Sequence, residues 1–99
     1  MEVKLIDRGE EGEVILIGRL DSNSSAAAEE LFMQLADRFT NIKLDMKELS
    51  FISSAGLRIL KKLYVKLSKK GGRLTAVNMG SYLVEVFEVT GFATILDIR

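Results

Sequence analysis

Leu44-Asp45-Met46-Lys47-Glu48-Leu49-Ser50-Phe51-Ile52-Ser53-Ser54-Ala55-Gly56-Leu57 is the stretch that decides the fold. It leaves a short aliphatic strand at 42–44, crosses a polar link, and enters a helix whose apolar positions Leu57, Leu60, Leu63, Tyr64 and Leu67 recur at three and four residues. Ser54 falls in the exposed first turn of that helix, where outward-pointing N–H groups and the positive end of the helix dipole stabilise added negative charge. Phosphate is the obvious such charge. The same hydroxyl also reads as an N-cap, accepting from a first-turn N–H for about 1 kcal/mol. Gly56 inside that turn costs roughly 1 kcal/mol against alanine, which close approach by another molecule or tight packing would each explain.

On the N-terminal side, residues 3–6 and the continuous aliphatic run 14–17 read as two strands around a Gly9 to Gly12 turn, the second buried on both faces. Ser22, Asn23, Ser24 and Ser25 offer N-caps, with Glu29 placed for a capping box, to a helix running to about Phe39. Leu31, Phe32, Leu35, Ala36 and Phe39 form its apolar stripe. On the C-terminal side, Gly71-Gly72 stops the second helix and residues 74–77 make a fourth strand. Residues 81–89 form a third helix with Leu83, Val86 and Phe87 inward, and 95–98 form a last short strand or extended tail.

Strands alternating with helices imply right-handed crossovers, hence an α/β fold with a mixed, largely parallel sheet and an antiparallel opening hairpin. The C-terminal strand ends form the working edge of such a sheet. That edge gathers Asp21, Asp45 and Asn78 beside the Ser53-Ser54 turn.

Composition narrows the chemistry. At 99 residues the chain reads as one domain, 1–99. Fourteen Lys and Arg balance fourteen Asp and Glu, so no global field favours nucleic acid or an anionic membrane. The clustered Lys61, Lys62, Lys66, Lys69 and Lys70 read as a solvated helix face, with Lys69 and Lys70 complementing the helix C-terminus. The absence of Cys and His excludes disulfides, thiol chemistry, histidine proton transfer and the commonest zinc sites. Gly71-Gly72 closes a helix and is no phosphate loop. Asp21 and Asp45 are a candidate carboxylate pair or cation site, yet without further ligands or a base they read better as polar strand-end residues shaping a recognition surface. The expectation is a cytoplasmic protein that is no enzyme, needs no cofactor or metal, and neither binds nucleic acid nor inserts into a membrane.

Three elements together resemble the STAS domain of bacterial anti-sigma factor antagonists: Gly18-Arg19-Leu20-Asp21 after a strand, Leu44-Asp45 with Ile52-Ser53-Ser54-Ala55-Gly56-Leu57, and the late Val86-Phe87-Glu88-Val89-Thr90-Gly91-Phe92. The resemblance spans nearly the whole chain and implies partner switching. The unphosphorylated form would bind an anti-sigma factor that is also a serine kinase, freeing a sigma factor. Phosphorylation would reverse this, and a serine phosphatase would reset it. The family's acceptor, two residues before the motif glycine, maps onto Ser54. The preceding position, often Asp in the family, is Ser53 here, which makes Ser53 a secondary candidate acceptor. The implied partner surface comprises Asp21, Asp45, Ser53, Ser54, Gly56 and Asn78. A scaffold or accessory STAS subunit of a stress-signalling or transporter assembly is the alternative.

Overall fold

Alternation builds the sheet. In the computed structural model, which describes residues 1–98, β1 (Glu2–Arg8) pairs antiparallel with β2 (Glu11–Leu20). Strands β3 (Asn41–Ile52), β4 (Arg73–Val77) and β5 (Asp97–Ile98) then follow in parallel, giving the order β1-β2-β3-β4-β5. Helices α1 (Ser25–Arg38), α2 (Ser54–Lys69) and α3 (Ser81–Val89) make the connections. Arg99 lies outside the described residues.

Gly12, Val14 and Leu16 of β2 are buried, while Glu13, Ile15 and Ile17 between them are only partly so. β2 is therefore covered on one face, which corrects the expectation of burial on both. Ile42, Leu44 and Met46 of β3 and Leu74 and Ala76 of β4 join the same core, with Phe32, Leu60, Leu63, Leu83 and Phe87 from the helices. The opposite face carries mixed charge, including the pair of Lys43 with Glu11 at 4.0 Å.

β3 is twelve residues long, so the supposed polar link 45–50 is strand. The signal was hidden by two register shifts against β2, between Ile15 and Ile17 and between Gly18 and Arg19. Each inserts one extra residue into β3, so the inward side chains run Ile42, Leu44, Met46, Leu49, Ile52, and strict period-two alternation is lost. Ser50 Oγ donates to Gly18 O at 2.9 Å across this irregular stretch. β4 pairs only with residues 41–45 of β3, leaving the rest of β3 to run on beside β2 toward α2.

The entry to α1 also departs from expectation. Ser24 is the N-cap residue but makes no side-chain cap bond; its hydroxyl donates to Arg19 O at 2.9 Å and accepts from Asp21 N–H at 3.0 Å. Glu29 forms no capping box and pairs with Lys62 at 3.2 Å. Lys66 binds Asp37 at 2.8 Å, and Lys70 donates to the carbonyls of Ala36 at 2.7 Å and Phe39 at 3.1 Å. Lysines four residues apart thus clasp α2 to α1, and Lys70 satisfies orphan carbonyls of its neighbour. That part of the lysine cluster is not simply solvated. Among the described residues no helix is long and apolar enough to cross a membrane.

Gly56 is buried on α2 with no room for a side chain. A Cβ there would lie 2.8 Å from Ile52 Cγ1, 2.8 Å from Leu20 Cγ and 2.9 Å from Leu20 O. Packing, then, accounts for this glycine. Gly56→Ala is expected to destabilise the fold by about 1–3 kcal/mol in urea titration; unchanged stability would contradict this packing.

Candidate functional site

Where β3 ends, Ser53 makes three backbone-directed bonds. Its N–H donates to Leu20 O at 2.9 Å, its carbonyl accepts from Leu57 N–H at 2.9 Å, and its hydroxyl accepts from Gly56 N–H at 3.2 Å. With φ −92° and ψ 173°, Ser53 is extended and caps α2. Ser54 is already the first helical residue, which corrects the N-cap alternative: the capping hydroxyl belongs to its neighbour. The Ser54 side chain is exposed and makes no hydrogen bond among the described residues. No acidic residue stands in the first turn of α2, so the positive end of the helix faces solvent without a carboxylate of its own.

Asp21 lies close by, because Leu20 pairs with Ile52 and receives the Ser53 N–H. Its Oδ1 accepts from Asn23 N–H at 3.0 Å and Ser24 N–H at 3.2 Å, and its Oδ2 stands 3.5 Å from Arg19 Nε. Partial burial raises the Asp21 carboxyl, but the two N–H bonds, with Arg19 and the Ser24 hydroxyl, outweigh it and hold its pKa below the ordinary 3.8. The side chain is thus a fixed anion at the end of β2.

Asp45 and Asn78 form a separate pair. Asp45 Oδ1 accepts from Asn78 Nδ2 at 3.2 Å and from Lys47 N–H at 3.1 Å. Asn78 adopts φ 59°, a left-handed conformation its short polar side chain tolerates as β4 turns toward α3. Asp45 is no strand-end residue: it lies within β3 opposite Ile15, and six strand positions from Ile15 to Asp21 span roughly 20 Å. Two carboxylates so far apart cannot share a substrate or an ion, so the paired-carboxylate idea fails on geometry. Among the described residues no group of three or more His, Cys, Asp or Glu is arranged to hold a metal. Asp21, Ser53 and Ser54 therefore share one surface, with Gly56 buried beneath it, and Asp45 and Asn78 share another.

Between these surfaces stands a feature the sequence did not advertise. The Arg19 guanidinium lies 4.2 Å from the centroid of the Phe51 ring, and Phe51 stacks on Tyr82 at 6.4 Å and 15°. Tyr82 is 46% exposed, so this cluster lies at the surface rather than completing the core. Extending β3 through Phe51 would have found it; a strand ended at 44 could not.

Because the folded pKa of Asp21 is depressed, its contribution to stability is complete above the unfolded value and disappears as pH falls through the folded one. The stability difference between wild type and Asp21→Asn should therefore hold steady at neutral pH and shrink below about 4. Denaturation midpoints measured from pH 7 to pH 2 check this, and a difference that does not shrink as the pH falls would contradict it.

The STAS domain family model matches residues 8–99. The chain is 28% identical over 86 residues to the anti-sigma-B factor antagonist of Bacillus subtilis, covering 87% of this chain and 79% of that protein. It is 34% identical over 79 residues to a protein of Bordetella bronchiseptica named as the anti-sigma factor antagonist BtrV, covering 76% of this chain and 68% of that protein. Among solved structures, the anti-sigma factor antagonist SpoIIAA in its unphosphorylated form aligns at TM-score 0.79 and 20% identity over 99% of this chain and 87% of that one. The phosphorylated form of Bacillus SpoIIAA aligns at 0.78 and 20% identity, over 99% and 91%. The chain belongs to the STAS domain family and groups within it with the bacterial anti-sigma factor antagonists.

Proposed function

We propose that this chain is an anti-sigma factor antagonist whose docking face is switched by phosphorylation of Ser54. Unphosphorylated, it binds an anti-sigma factor serine kinase and frees the sigma factor; phosphorylated, it releases that partner; a serine phosphatase restores the binding form. The observation that carries this reading is the free, exposed Ser54 hydroxyl at the first position of α2, beside a cap held by Ser53. Ser53 is the poorer acceptor, since modifying its hydroxyl would cost the helix its cap.

Phosphate would add about −1.5 to −2 charges at this turn. The uncompensated N-terminus of α2 offsets part of that charge within the domain, so the fold tolerates it. Both forms of SpoIIAA align with this chain equally well, which fits a switch acting without refolding. A partner closing over the turn fares differently, because it would have to desolvate a dianion next to the fixed carboxylate of Asp21. A penalty of about 3 kcal/mol is roughly a hundredfold in affinity. Arg19, Phe51 and Tyr82 extend the same face and supply contacts that the phosphate leaves unaltered.

Incubation with ATP and lysate of the source organism, followed by intact mass and site mapping, should add one phosphate at Ser54 and none in Ser54→Ala. Ser54→Ala should bind the anti-sigma kinase constitutively, and Ser54→Asp should bind at least about tenfold more weakly. Equal binding by both variants and wild type would overturn the switch.

A further inference from the structure

The outer surface between α1 and α2 holds a groove of about 410 Å³ to which Met33 and Val65 contribute apolar surface and α2 contributes Arg58 and four lysines. No carboxylate lines it. Lys62 and Lys66 are engaged with Glu29 and Asp37 of α1, whereas Arg58, Lys61 and Lys69 have no salt-bridge partner among the described residues. In a chain of zero net charge, three unspent cations along one groove form a local positive field. Val65, 39% exposed, gives the groove an apolar spot among these cations.

We infer that this groove is a second docking surface, for an acidic amphipathic helix of a partner protein that places one apolar side chain between Met33 and Val65 and carboxylates against Arg58, Lys61 and Lys69. A helix matches this line of cations: Arg58 to Lys69 spans eleven residues of α2, about 16 Å, so three turns of a partner helix laid alongside would repeat its carboxylates at the same three- and four-residue spacing. A lone phosphate or nucleotide would need cations converging on a point, and these are strung out along a line. A lipid surface would need large apolar side chains to insert, and the groove offers one valine and one partly buried methionine. The surface starts one turn beyond Ser54, yet the inference requires no modification there and stands apart from the switch.

The test is a ¹⁵N NMR titration of the full chain with a synthetic three-turn helical peptide carrying a central Leu flanked by Glu at three and four residues on either side. The expected shifts are confined to Met33 and to residues 58–69 of α2, and they weaken by about tenfold or more in the Lys61→Glu, Lys69→Glu double variant and in high salt. Both lysines are exposed, so a well-dispersed spectrum shows that the variant is folded; Val65→Asn gives a second disruption that leaves the charge of the groove unchanged. Absence of shifts in peptide excess overturns the inference, as does an equal response to a scrambled peptide. Shifts produced by phosphatidylglycerol vesicles in place of the peptide, or by raising protein concentration alone, overturn it in favour of a lipid or a second copy of the chain.

Discussion

Ser53 is the hinge pin of this molecule. Its amide holds the end of β2 through Leu20, its carbonyl and hydroxyl start α2, and all three bonds are 3.2 Å or shorter. The bare Gly56 one turn on lets α2 settle against Leu20 and Ile52. Strand ends and helix start are thereby fixed relative to one another, and the backbone of Ser54 is held at the first position of α2. The structural load falls on one serine and leaves the other unencumbered.

That division is what suits the site to a switch. A hydroxyl that capped the helix could be modified only by surrendering about 1 kcal/mol of helix stability. The Ser54 hydroxyl surrenders nothing, because it bonds to nothing among the described residues. The neighbouring groups are equally fixed: Asp21 is locked by two N–H donors, and Arg19 lies over Phe51. In the proposed switch, a face fixed in this way would change affinity by electrostatics and desolvation alone. The lysine clasp between α1 and α2 contributes to that rigidity, since Lys70 satisfies two carbonyls near the end of α1.

Much of this was legible in the sequence where periodicity was regular. The α/β order, the antiparallel opening hairpin, α3 at Ser81–Val89 and the exposure of Ser54 all followed from spacing and from the resemblance. What escaped did so for local reasons. Alternation alone ends β3 at 44, because two inserted residues break its period further on, and so leaves Asp45 and the Arg19–Phe51–Tyr82 cluster unplaced. The cap was ambiguous because two adjacent serines satisfy the same pattern, and only backbone angles distinguish them. Gly56 could be packing or access until its neighbours were known. The lysines hid their role because their partners lie about thirty residues away on α1.

The central claim is that Ser53 carries the helix start and Ser54 carries none of it. Urea unfolding of Ser53→Ala and Ser54→Ala, side by side, tests it most directly. The account predicts a loss of about 1 kcal/mol for Ser53→Ala and a change within about 0.5 kcal/mol for Ser54→Ala. The reverse order, with Ser54→Ala the damaging substitution, would contradict it.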